Sequence, residues 1–202
     1  MDVPAWWAGD VSRETLEKLR AYADLIRKWT PKINLVAKST LSDLEDRHIW
    51  DSAQVYAPHG GSWADFGAGG GMPGVVIAVL AQADDQGLSV TLVESDQRKA
   101  TFLRTCAREL DVPINVVARR IEDVPPLGAN TISARALAPL HALLGHAHQH
   151  LAPAGTCFFQ KGARWQDEVA SALENWRFSY EAMQSKTNTE AVVLKIKDIT
   201  RV

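Results

Sequence analysis

Residues Asp65 to Gly74 read Asp-Phe-Gly-Ala-Gly-Gly-Gly-Met-Pro-Gly, entered from Trp63-Ala64 and followed by the apolar run Val75 to Leu80. That order is strand, glycine turn, helix. Glycines let a backbone take φ > 0 and approach a ligand with no Cβ in the way. A helix starting there aims unpaired N–H groups into the crevice at the strand ends, where α/β sheets bind nucleotides. Gly69, Gly71 and Gly74 match G-x-G-x-x-G, which leaves a dinucleotide site open on spacing alone. Two residues pull away from a pyrophosphate. The Asp65 carboxylate would repel it and instead suits an ammonium group, directly or through water. Pro73 removes an N–H donor from the turn. S-adenosylmethionine has an ammonium, a ribose and an adenine but no phosphate, and it fits the D-x-G-x-G form better.

Ser89 to Val93 reads as a buried second strand with Glu94 at its end. An acid there accepts hydrogen bonds from ribose hydroxyls in either kind of nucleotide site, so Glu94 supports a nucleoside without choosing between them. It could otherwise cap the helix that follows. Other chemistries lack their residues. There is no G-x-S-x-G elbow and no Walker A lysine loop. No N/D-P-P-Y/F loop for an exocyclic amine follows the fourth strand, where the chain reads Ser133-Ala-Arg-Ala-Leu-Ala138. Attack at a pyrimidine carbon needs a thiolate, but Cys106 falls mid-helix and Cys157 in an apolar strand, where a buried thiol is inert. Acceptors that are already nucleophilic remain, such as a guanine N7 lone pair. Methylating one needs alignment rather than a general base.

The elements that must position these residues alternate from Trp63 onward. Strands are expected at about 63–66, 89–94, 114–118, 131–134 and 156–160. Helices are expected at about 73–82, 96–110, 139–151 and 164–175, and two β stretches at 178–184 and 191–196 form a terminal hairpin. This predicts an α/β fold, Rossmann-like, with a mainly parallel seven-stranded sheet and a terminal antiparallel hairpin. Ahead of it, apolar residues at helical spacing predict a helix from Thr15 to Trp29, capped by Ser12 and ended by Thr30-Pro31. A second helix is expected from Leu41 to Tyr56, closed by the breaker Ala57-Pro-His-Gly-Gly61. Residues 1–60 thus read as a helical extension packed on the domain of residues 61–202.

Composition is that of a globular chain, 46% hydrophobic and 23% charged with a net charge of −2. Bulk charge does not announce a nucleic-acid binder, but Arg13 to Lys38 holds seven bases against three acids, a face that could meet phosphates or simply be solvated. No signal peptide or membrane-length apolar run is read. Two cysteines give no disulfide framework or zinc spacing. His141, His146, His148 and His150 lie on one expected helix without a carboxylate or thiol set and read as non-ligands. Cytoplasmic location, no metal and a monomer are the expectations.

Asn34-Leu-Val-Ala, Arg47-His-Ile-Trp-Asp-Ser52, Asp65 to Gly74, Ser133-Ala-Arg-Ala136 and Gln160-Lys-Gly162 occur in this order. With them the chain resembles the RsmG (GidB) family of bacterial 16S ribosomal RNA guanine-N7 methyltransferases. The resemblance implies the class I SAM-dependent methyltransferase form of the Rossmann-like fold, S-adenosylmethionine as cofactor and 16S rRNA in the small ribosomal subunit as partner. It implies that Gly67, Gly69 and Met72 contact the cofactor beside Asp65, that Glu94 takes the ribose, and that Ile121 and Glu122 flank the adenine. Arg135 would line the pocket near the transferred methyl. Arg47, His48, Asp51 and Ser52 would reach the cleft mouth with Asn34 nearby, His48 and Arg135 being the candidate active-site residues. Asn34, Arg47 and Lys161 would face RNA. Plainer readings stand beside these: a satisfied helix histidine for His48, an Asp51–Arg47 pair, and a structural ion pair for Arg135. The rival functions are a dinucleotide-dependent oxidoreductase and a non-catalytic RNA- or ribosome-binding module.

Overall fold

Strand β1 (Gly61–Phe66) has its last four residues buried, as a central parallel strand covered on both faces must. It lies between β2 (Leu88–Val93) and β4 (Ala129–Arg135), with β3 (Ile114–Val117) beyond β2. β5 (Leu151–Lys161) continues the parallel set on the other side. β6 (Trp176–Gln184) and β7 (Val192–Arg201) complete a seven-stranded sheet of order β3-β2-β1-β4-β5-β7-β6, in which β7 runs antiparallel to both its neighbours. The computed structural model describes residues 1–57, 60–85 and 87–202, so the Pro58-His59 part of the expected breaker lies outside the described residues.

Helices cover both faces. One core joins α1 (Arg13–Ile33), α3 (Gly74–Asp84) and α4 (Gln97–Glu109) through Tyr22, Ile26, Ile77 and Phe102. The other joins α5 (Leu140–His150) and α6 (Trp165–Ala172) to Phe66, Ile132 and Phe159. α3 is buried from Gly74 to Ala81, which is why its sequence is apolar all round rather than striped.

Two N-terminal expectations change. Ser12 caps α1 by accepting from the Thr15 amide at 3.1 Å, but the helix runs through Pro31 and ends at Asn34, whose φ of 49° turns the chain out. Pro31 and Arg27, whose carbonyl loses its helical donor to the proline, are both exposed, and the Asn34 amide still closes the last turn on Thr30 O at 3.0 Å. The expected helix over 41–56 is not one α-helix. A 3-10 turn at Lys38–Thr40 precedes a π-helical stretch at Glu45–Trp50, which passes into the short α2 (Asp51–Ala53). The Asp51 amide reaches back to Asp46 O, and this widened turn carries His48 and sets Asp51 toward the sheet.

Candidate active site

The glycine turn is fixed from below. Asp65 is fully buried; one carboxylate oxygen accepts from Ser133 Oγ at 2.7 Å and the other from the Gly74 amide at 3.0 Å. Trp63 Nε1 donates to the same Ser133 oxygen at 2.8 Å. Burial pushes the Asp65 carboxyl up to about 7, against the hydrogen bonds from Ser133 and Gly74 and the charge of Arg135. A Cβ on Gly74 would sit 2.8 Å from Asp65 Oδ2, so only glycine lets the helix start this close to the strand. From the other side Tyr22 donates to Gly70 O at 2.5 Å. Of the two ammonium contacts expected of Asp65, direct or through water, the direct one is not open, since both oxygens are already engaged. Its oxygens are sealed beneath the turn, and the residue holds the turn instead.

Above the turn lies a cavity of about 400 Å³ whose lining includes Gly67, Gly69, Glu94, Ile121 and Glu122. Gly67 and Gly69 take φ of 61° and 55°, and a Cβ on Gly67 would run into Leu137. Glu94 accepts from the Gly69 amide at 2.8 Å and the Asp96 amide at 2.7 Å. A carboxylate has further lone pairs for two vicinal hydroxyls. Ile121 and Glu122 sit on a 3-10 turn, Ile121–Asp123, after β3. An acid for a ribose, an apolar wall for a purine and a glycine cradle fit the nucleoside of S-adenosylmethionine. Met72 is 5% exposed, and its Sδ accepts from Arg135 Nη2 at 3.2 Å.

A second cavity, of about 510 Å³, opens beside the first, lined by Thr40, Arg47, His48, Arg135 and Thr187 among others, and it shares Ala136, Leu137 and Ala138 with it. Asp51 organises its floor. Oδ2 accepts from Arg135 Nη1 at 3.3 Å and Gln160 Nε2 at 2.7 Å, and Oδ1 from Gln54 Nε2 at 2.7 Å and Thr187 Oγ1 at 2.6 Å. Asp51 thus pairs with Arg135, not with Arg47. His48 is neutral at ordinary pH. Burial, then the Arg135 charge, lower its pKa from 6.5 to about 4, with Asp51 opposing. Thr40 Oγ1 gives its proton to Ala37 O at 2.8 Å, so it accepts from His48 Nε2, also at 2.8 Å, and Nδ1 is left a bare acceptor. That Nδ1 is buried and has no partner among the described residues. Ser52 is buried and spends its hydroxyl on His48 O at 2.6 Å.

Of the residues expected to face RNA, Arg47 is exposed at the mouth of the second cavity. Asn34 is exposed as the C-cap of α1, lines neither cavity, and is followed by Leu35 against Gly70. Lys161 is only 8% exposed; its Nζ donates to Ala138 O at 2.8 Å and Glu168 at 2.7 Å. The ammonium expected to meet an RNA phosphate is thus engaged by Ala138 and Glu168, while Lys161 and Glu168 both belong to the lining of the second cavity. Along the basic stretch, Arg13, Lys18 and Arg27 pair with acids. Lys28, Lys32 and Lys38 are exposed and make no ion pair among the described residues. Sequence reasoning missed the turn between β6 and β7, which gives Ser185, Thr187 and Asn188 to the second cavity. It missed Leu137 too. Burial raises both cysteine thiols well above their usual range, so neither is a nucleophile.

Comparison with known proteins agrees with this geometry. The chain is 50% identical to the ribosomal RNA small subunit methyltransferase G of Ruegeria sp. (strain TM1040), covering 96% of this chain and 95% of that one. It is 45% identical to the protein of the same name from Paramagnetospirillum magneticum, covering 95% and 92%. Among solved structures, a TehB-like SAM-dependent methyltransferase from Corynebacterium glutamicum superposes with a TM-score of 0.55 at 18% identity over 91% of this chain and 99% of that one. A variant of MtNAS in complex with S-adenosylmethionine gives 0.59 at 14% identity over 91% and 71%. The fold is that of the class I SAM-dependent methyltransferases, and neither the oxidoreductase nor the non-catalytic module finds support. A family model described as GidB, rRNA small subunit methyltransferase G, matches residues 15–196, and the chain belongs to that family.

Proposed function

We propose that this protein transfers the methyl group of S-adenosylmethionine to N7 of a guanine in 16S rRNA of the small ribosomal subunit. The observation that carries the choice of atom is the absence, among the described residues lining the second cavity, of a carboxylate without an ion-pair partner. Asp51 is bonded through both oxygens, Glu168 is held by Lys161, and the free nitrogen of His48 is buried. Guanine N7 carries a lone pair and no proton, so none need be removed. When bound, S-adenosylmethionine supplies a methyl group on a positively charged sulfur. The chain's own task is to place N7 in line with it. Glu94 and the 121–122 turn hold the nucleoside end, and the Arg135–Asp51 pair sets the wall where the two cavities meet. Holding reactants in this way lowers a barrier by about 7–11 kcal/mol.

A target guanine would enter the second cavity splayed from its stack, since RNA bases are read in that state. Arg47 at the rim, with Lys28, Lys32 and Lys38 beyond, would take phosphates. The helical extension of residues 1–60 works as part of the same domain, because Tyr22 shapes the glycine turn. Action as a cytoplasmic monomer without a metal belongs to the same reading. The described residues contain no group of three or more His, Cys, Asp or Glu placed for an ion, and no helix among them is long and apolar enough to cross a membrane.

The test is to incubate the protein with methyl-labelled S-adenosylmethionine and small subunits from cells lacking it, then map the label. Label at N7 of one 16S guanine is expected. Cofactor binding without transfer would move the acceptor elsewhere.

A further inference from the structure

We infer that Lys161 and Glu168 are positioning residues for methyl transfer, holding in place the loop that forms the common wall of the cofactor and acceptor cavities. The inference rests on the methyltransferase reading and adds to it. Ala136, Leu137 and Ala138 line both cavities, so a methyl group passing from one to the other travels along them. The loop is pinned at each end. Before it, Arg135 is bonded to Asp51 at 3.3 Å and Met72 at 3.2 Å. After it, Lys161 Nζ donates to Ala138 O at 2.8 Å and to Glu168 Oε2 at 2.7 Å, and that carboxylate oxygen accepts from the Leu140 amide at 2.8 Å. Ammonium, carboxylate, carbonyl and amide thus form one clamp between β5, α6 and the loop.

Between the pins the backbone is in a conformation it would not keep unaided. Ala136 has φ 53°, a left-handed conformation that an alanine holds only where its surroundings impose it. Leu137, 38% exposed, lies against the Gly67 backbone in the cofactor cavity. Releasing the clamp lets Ala136 relax and carries the wall with it. Misplacing reacting groups by about 1 Å costs on the order of 100-fold in rate. Burial of Lys161 fits this role, since an ammonium used for RNA would have no reason to be spent on Ala138.

The clamp and a phosphate contact predict different kinetics. The double variant Lys161→Met with Glu168→Gln removes the ion pair without stranding a charge; Lys161→Arg keeps a cation at the site. With unmethylated small subunits as acceptor, the double variant is expected to lose about 10–100-fold in kcat. Its KM for subunits should stay within about threefold and its salt dependence should match the parent's, while Lys161→Arg recovers at least about tenfold of the loss. A raised KM with kcat unchanged, and a salt slope reduced by about 0.7–0.9, would assign Lys161 to a phosphate and overturn the inference. Unchanged kcat and KM would overturn it as well. Hydrogen exchange at Leu137, Ala138 and Leu140 reads the clamp without turnover. At least about tenfold faster exchange confined to this loop is expected in the double variant, and equal exchange refutes the clamp. Parent protein that shows this contrast but methylates no subunit would fail the functional reading alone.

Discussion

Asp51 and Arg135, 84 positions apart in the chain, meet at 3.3 Å where the N-terminal helical segment faces the end of β4. The guanidinium also caps the Met72 sulfur, so one side chain ties the π-helical turn, the glycine turn and the shared wall together. Arg135→Ala leaves Asp51 its bonds to Gln54, Gln160 and Thr187, and the fold persists. The transfer geometry does not. Methylation of small subunits should fall by about 100-fold with S-adenosylhomocysteine affinity changed by less than tenfold. Full activity in this variant would remove Arg135 from the site.

Glu94 presents a charged acceptor to the cavity above the glycine turn, beside Glu122. Hydrogen bonds to a charged group contribute about 1.5–3 kcal/mol each, so Glu94→Ala should weaken S-adenosylhomocysteine binding by about 10–100-fold, measured by titration calorimetry. Affinity equal to the parent's would place the ribose elsewhere.

Tyr22 links the helical extension to the glycine turn through Gly70 O. Tyr22→Phe leaves that carbonyl without a donor, at a cost of about 1–3 kcal/mol. At roughly 2–4 °C per kcal/mol for a chain of this size, the melting temperature should drop by several degrees and cofactor affinity should fall with it. An unaltered melting temperature would show that the turn does not depend on α1.

His48 gives a pH signature. Its pKa is lowered from 6.5 to about 4 by burial and by Arg135. As pH falls through that window the unfolded chain binds a proton that the folded protein refuses, so stability is lost from about pH 6.5 down to about 4. His48→Gln removes this titration. Its melting temperature should decline less than the parent's across the same window, and parallel curves would show that the ring is not held neutral.

The cofactor side of the site was legible in the sequence because its parts are local. The Asp65–Gly74 turn and the acid ending β2 are read from neighbouring residues, and strand-to-helix alternation places them at one edge of the sheet. The acceptor side is built from distance. Thr187 reaches Asp51 across 136 positions, and no periodicity announces that contact. The π-helical turn has the composition of an ordinary helix, so the 41–56 stretch read as one. The contacts of Lys161 were hidden for a related reason: a lysine in a polar motif says nothing about burial, which here comes from Glu168 and Ala138.

The position of β7 has a consequence for how the molecule comes into being. β6 is synthesised first yet lies at the sheet's edge, and β7 is inserted between it and β5. Until residues 192–201 leave the ribosome, β6 has no neighbour to pair with, and the turn carrying Ser185, Thr187 and Asn188 has nothing to fix it against Asp51. Chains grow from the N-terminus, so the cofactor crevice can assemble while the acceptor wall cannot. The second cavity therefore closes after the first, once β7 is in place between β5 and β6.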